Sequence, residues 1–176
     1  MSTVHRCVAA SLAAAALYLL AIPAIPTPAS ARGDVVAFKS DVSPGTIVVR
    51  TSERRLYFVL GQGRALAYPV GVGRVGRQWA GRSFVDGKHV RPDWAPPPDI
   101  AKDHPNLNRV IPGGSPQNPM GVAALTLDGG QYAIHGTNNP GSIGGFVSYG
   151  CIRMYNQDIT DLYDRVMVGT PVLVTR

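Results

Sequence analysis

The sequence predicts a mainly β domain with one amphipathic helix near its C-terminal end. Short runs rich in Val, Ile, Leu and Tyr recur between glycine-containing turns, which is the pattern of strands. One later segment instead carries Ile159, Leu162, Tyr163 and Val166 at i, i+3, i+4 and i+7, the apolar stripe of a helix. Cysteine usage adds a third constraint. Of Cys7 and Cys151, the first falls in a leader-like segment, so no internal disulfide is available and the fold must rest on its apolar core.

Taken in chain order, Arg6 precedes an Ala/Leu-rich stretch, then come Pro23, Pro26 and Pro28, then Ala29-Ser30-Ala31. That is the layout of a secretory signal peptide over residues 1–31, expected to be cleaved after Ala31. Retention as an anchor is the alternative, although the apolar run is shorter than the roughly 20 residues a membrane span needs. Removing 31 of the 176 residues leaves 145, which suits one domain with a single core. Residues 32–44 read as a linker and 45–176 as the domain.

"GTIVVRTSERRLYFVLGQGRALAYPVGVG" (45–73) gives three strands, 46–51, 54–60 and 65–72, the last two joined by a hairpin at Gly61-Gln62-Gly63. Residues 73–119 carry eight prolines from Pro92 onward and leave little room for regular structure. A stretch of that length inside a compact domain is usually functional or disordered. Its Trp79, Trp94, Ile100, Leu107, Val110 and Ile111 favour packing on the domain, as a groove wall or a cover. "MGVAALTLD", Gly129-Gly130 and "QYAIHG" then form a second hairpin that leaves His135 at the end of its outgoing strand. The helix follows over "NQDITDLYDRVMVG", with Asn156 or Asp158 expected to cap its start and Gly169 its stop, before a final strand "TPVLVT".

The formal charge of +6 becomes +5 once Arg6 leaves with the leader. In an exported protein that excess meets the acidic cell envelope or simply aids solubility, so no nucleic-acid partner is expected. His89, His104, His135 and Cys151 lack the paired short spacing of zinc ligands, so neither a metal nor a cofactor is expected. No Asp/His/Ser set has the context of a serine protease.

Cys151 and His135 are the residues with chemistry to offer. A cysteine nucleophile needs a low thiol pKa or a nearby base, access, and donors for the oxyanion. Gly150 permits a tight turn before Cys151, and the helix downstream, if its first turn reached back, would favour thiolate through its positive end. His135 lies 16 positions upstream across a glycine-rich connection that can fold back. The competing reading of the same residues is a small buried hydrophobe beside Val147, Ile152 and Met154, with a histidine merely satisfied at a strand end.

"YAIHGTNNPGSIGGFVSYGCIRMYNQDITDLYDRVMVGTPV" resembles the signature of the L,D-transpeptidase catalytic domain of the YkuD type, a histidine followed by a Ser-His-Gly-Cys cluster. The resemblance runs upstream through "YPVGVG", "PDWAPP", "GGSPQNPMG" and "AALTLD", so it covers residues 45 to 174. It implies a β-sandwich with one helix after the catalytic cysteine, exported to the periplasm or cell envelope of a bacterium and acting on peptidoglycan stem peptides as a monomer. Cys151 matches the nucleophile, His135 its activating histidine, and Gly136 the carbonyl that orients the imidazole. Tyr149 and Gly150 fall at the oxyanion turn, and Ser148, Arg153 and Asn138 on the substrate side.

Two departures stand out. Tyr149 occupies the place of the usual histidine, and a phenol with a pKa near about 10 is no base at neutral pH. Trp79-Ala80-Gly81 stands where a Thr-Pro-x-Gly-like segment often follows the "PVGVG" strand. The implied reaction is acylation of Cys151 by a tetrapeptide stem with loss of D-alanine, then transfer to an amine. Water as acceptor would make the chain a carboxypeptidase, and loss of function at Tyr149 would leave an envelope-binding domain.

Overall fold

The computed structural model describes residues 33–107 and 109–176, so the leader expected over 1–31 lies outside the described residues. Among the described residues eleven strands and two α-helices follow one another. They are β1 (Asp34–Ala37), β2 (Ile47–Arg50), β3 (Arg55–Gly61), β4 (Arg64–Pro69), β5 (Val72–Gly73), β6 (Gly81–Val90), α1 (Pro98–Asp103), β7 (Ala123–Leu127), β8 (Ala133–His135), β9 (Phe146–Ser148), β10 (Ile152–Arg153), α2 (Asn156–Arg165) and β11 (Pro171–Thr175). Nine strands join in the order β1-β4-β3-β2-β11-β6-β7-β8-β10, and β5 pairs separately with β9. Among the described residues no helix is long and apolar enough to cross a membrane.

β6 joins the two halves of the sheet. Its residues 81–84 pair with β11 and its later residues with β7, with a register shift between Val85 and Gly87. An irregularity of that kind bends a strand and raises its twist, and here the halves share one core. Ile47, Leu56 and Tyr68 from the first half meet Leu125, Ile134 and Ile152 from the second, with Ile159 and Leu162 of α2 among them. The phenol of Tyr68 donates to Asp161 at 2.6 Å, tying β4 to the helix.

Several expectations need correction. The stretch 32–44 is no mere linker: β1 pairs antiparallel with β4, and Phe38 stacks on Tyr57 at 4.6 Å over a smaller apolar cluster on the outer face of the sheet. Two-sided burial of the first half requires that cover. The third strand ends at Pro69, which has no N–H to continue a ladder, and resumes as β5. Within 73–119 lies β6, at ten residues the longest strand described, whose alternation is blurred because its two halves face different neighbours.

Helix α2 starts where expected but ends at Arg165, short of the expected Gly169 stop, and neither proposed cap acts. Tyr155 holds the N-cap position without a side-chain hydrogen bond. The Asn156 side chain turns instead to the loop after β8, accepting from the amides of Thr137 at 2.9 Å and Val122 at 3.4 Å. Gly169 lies in the turn to β11, three residues beyond the extended Val166 that ends the helix.

Candidate active site

The site is built on two short parallel strands. β8 and β10 pair with Ile134 opposite Ile152 and His135 opposite Arg153, which carries Cys151 beside Ala133. Ile134 and Ile152 point into the core, so strand alternation turns Cys151, Arg153 and His135 to the other face together. A strand spacing of about 4.8 Å and a rise of about 3.3 Å per residue set the Cα atoms of Cys151 and His135 roughly 8 Å apart on that face, a diagonal that a thiol and an imidazole can bridge. The His135 carbonyl accepts from Met154 N at 2.8 Å, which holds the two strands in this register.

His135 is buried, and its Nδ1 lies 2.7 Å from the Gly136 carbonyl. A carbonyl only accepts, so Nδ1 carries the proton and Nε2 keeps its lone pair. Gly136 also leaves room for the Asn156 side chain, because a Cβ there would meet Asn156 Oδ1 at 2.3 Å. Burial, then the nearby Arg153 charge, push the imidazole pKa down to about 4, against the opposing carbonyls of Gly136 and Pro119. The ring is therefore neutral at pH 7.

Cys151 keeps part of its surface open, although protein surrounds it on most sides. It lines a cleft of about 370 Å³ together with Tyr149, residues 97–100 and residues 130–132. Burial pushes the thiol pKa up, opposed by the Ala133 backbone N–H and the Arg153 charge. Helix α2 gives no help: β10 intervenes before it starts at Asn156, so the expected thiolate-favouring helix end is absent. At neutral pH Cys151 is a thiol and His135 a neutral imidazole.

The turn before the thiol is closed by Ser148. Its buried hydroxyl donates to the Cys151 carbonyl at 2.6 Å and accepts from Gly150 N at 3.0 Å. Ser148, expected on the substrate side, thus holds the turn before Cys151. Asn138 is another residue expected on that side. It is exposed, donates to the Gln117 carbonyl at 3.0 Å, and lines a separate groove with Asn118 and Thr137. Arg153 sits beside the pair with its buried Nε lacking any hydrogen-bond partner among the described residues.

Tyr149 faces outward to α1. Its hydroxyl donates to Asp103 Oδ2 at 2.7 Å, the same oxygen that Arg74 reaches at 2.9 Å, and the Arg74 guanidinium lies 3.9 Å from the centre of the phenol ring. Arg77 pairs with Asp99 at the other end of the helix. Sequence reasoning missed this cluster, and equally missed Asn118, whose buried amide donates to the carbonyls of Pro92, Ile111 and Pro112 and fastens the proline-rich loop. Bonds to backbone carbonyls leave no signature in residue type.

These features define a mainly β domain in which the described thiol and a buried, oriented histidine share one sheet face beside an open cleft. Residues 44–174 match the model of the L,D-transpeptidase catalytic domain, YkuD, and the chain belongs to that family. It is 41% identical over 137 residues to a probable L,D-transpeptidase ErfK/SrfK of Escherichia coli, covering 73% of this chain and 43% of that protein. It is 36% identical over 135 residues to a putative L,D-transpeptidase YkuD of Bacillus licheniformis, covering 77% and 68%. The chain thus spans less than half the length of the first of these relatives. An L,D-transpeptidase of Enterococcus faecium has the same fold, with a TM-score of 0.61 at 18% identity over 76% of this chain and 50% of that one.

Proposed function

We propose that this chain is a cysteine-dependent L,D-transpeptidase, exported to the bacterial cell envelope, that takes its acyl group from a peptidoglycan tetrapeptide stem. The observation that carries the reading is the shared face of Cys151 and His135 at the paired strands β8 and β10, with Cys151 lining the cleft. The leader-like segment supports export, and the family named above supports the substrate class.

In the proposed reaction the Cys151 sulfur attacks the carbonyl of the diamino acid before the terminal D-alanine, and its proton passes to His135 Nε2. The resulting oxyanion is held by backbone N–H groups of the nucleophile turn. Collapse breaks the C–N bond, D-alanine leaves with the proton from His135, and a thioester remains. An amine, such as the side-chain amine of a second stem, then attacks the thioester while His135 again takes a proton and returns it to the departing sulfur. Arg153, charged and with an unpartnered Nε, suits a substrate carboxylate.

The test is acylation by a carbapenem, followed by intact mass. The catalytic domain of an E. faecium L,D-transpeptidase is known acylated by ertapenem, at 20% identity and a TM-score of 0.56. The expected result is one adduct on Cys151, absent in Cys151→Ala. No adduct and no turnover of stem peptides would leave a binding domain, while trimmed stems without cross-links would make water the acceptor.

A further inference from the structure

Trp79 has no part in the reaction as written, yet it holds the backbone of the nucleophile turn. Its indole Nε1 donates to the Gly150 carbonyl at 2.9 Å, across 71 residues of sequence. The indole also stacks on Tyr132 with centroids 4.9 Å apart and planes 6° from parallel. Tyr132 in turn packs on Gly150, where a Cβ would lie 2.3 Å from the ring and where φ is +124°. Carbonyl and α-carbon of Gly150 are therefore gripped from two directions.

The Gly150–Cys151 peptide is planar and trans, so the direction of its carbonyl dictates that of the Cys151 N–H, which points the opposite way. Three backbone groups beside it in the turn are engaged. Gly150 N goes to Ser148, the Cys151 carbonyl accepts from Ser148, and the Gly150 carbonyl accepts from Trp79. Among the described residues the Cys151 N–H donates no hydrogen bond. It is also the amide closest along the chain to the sulfur, and a carbonyl carbon bonded to that sulfur brings its oxygen within reach of it.

We propose that Trp79 is a positioning residue for acyl transfer: by holding the Gly150 carbonyl, it aims the Cys151 N–H at the oxyanion formed when the sulfur attacks. This rests on the function proposed above. A preorganised donor stabilises charge that exists only in the transition state, so its misdirection slows acylation and spares substrate binding. The segment that departs from the family's usual Thr-Pro-x-Gly-like run thereby acquires a task in the chemistry.

The experiment compares two reactions of one sulfur. Acylation by a carbapenem passes through an oxyanion, whereas alkylation by iodoacetamide is a direct displacement that forms none. In Trp79→Phe the acylation rate constant should fall about 10- to 100-fold, the range of a lost supporting contact, with alkylation within about twofold from pH 6 to 9. A site-specific benzothienyl-alanine at position 79, which keeps the bicyclic stack and removes only the N–H, should do the same and carries the comparison if the phenylalanine variant misfolds. Equal loss in both reactions, or loss in neither, overturns the inference. A wild-type protein that is alkylated but never acylated overturns the proposed function itself, and this inference with it.

Discussion

The two linings of the cleft are built in opposite ways. On one side, Cys151 immediately precedes β10 and residues 130–132 lie in the β7–β8 hairpin, strands whose other face is the fully buried Leu125, Ile134 and Ile152. On the other, residues 97–100 lead into α1, which buries no side chain at all. That helix is fastened by Arg77 to Asp99 and by Arg74 and Tyr149 to Asp103, with these charged side chains roughly one-third to three-fifths exposed. Apolar packing does not weaken in salt, whereas exposed ion pairs contribute only about 0–1 kcal/mol each and are screened. The proposed reacting groups thus stand on the stiff side and the adjustable boundary lies opposite.

The contrast breaks most visibly at the base. His135→Gln should lower the rate of acylation by about 10²–10⁴-fold, the usual worth of a positioned proton acceptor, measured by single-turnover mass spectrometry. No change on the other lining should approach that. Next comes packing: Ile152→Ala should cost about 2–5 kcal/mol in chemical denaturation, while Ile100→Ala, at the cleft edge of the α1 side, should cost under about 1 kcal/mol. Equal losses would mean that α1 is built into the core after all.

Proton linkage gives a third measure. His135 has a folded pKa of about 4, below its ordinary 6.5, so the stability gained from keeping it neutral is complete above pH 6.5 and is lost as pH falls toward 4. The expected loss between pH 7 and pH 4 is about 2–3 kcal/mol, seen as a falling Tm, and His135→Gln should remove that part of the slope. The smallest effect belongs to the polar side. Asp103→Asn should leave Tm nearly unchanged and alter KM for stem peptides by a few-fold, and that difference from wild type should shrink as salt rises. A change in kcat of similar size would place Asp103 closer to the chemistry than its contacts suggest.

What could be read from the sequence follows from periodicity and local chemistry. The α2 stripe and the two hairpins were expected with ends off by up to four residues, because alternation and the 3.6-residue repeat report burial of one face but not where an element stops. β6 escaped notice since its neighbours change midway, which erases a simple alternation, and β1 escaped because four residues are too few to show one. At the site, the structure sets Cys151 and His135 near each other on neighbouring strands, with the Gly136 carbonyl at the imidazole Nδ1. The backbone bonds of Ser148 and Asn138 could not be read, as a hydroxyl or amide has the same appearance in sequence whether it meets substrate or backbone.

Residue order alone settled the class of fold and the family and singled out Cys151 and His135 as candidates, because strand and helix periods and a local motif are properties of neighbours in the chain. Only the tertiary structure decided that the thiol is raised rather than lowered in pKa, that Tyr149 reaches for α1, and that Trp79 grips Gly150. Those outcomes depend on burial and on bonds between segments up to 71 residues apart, and such distances are set by how the sheet folds about β6.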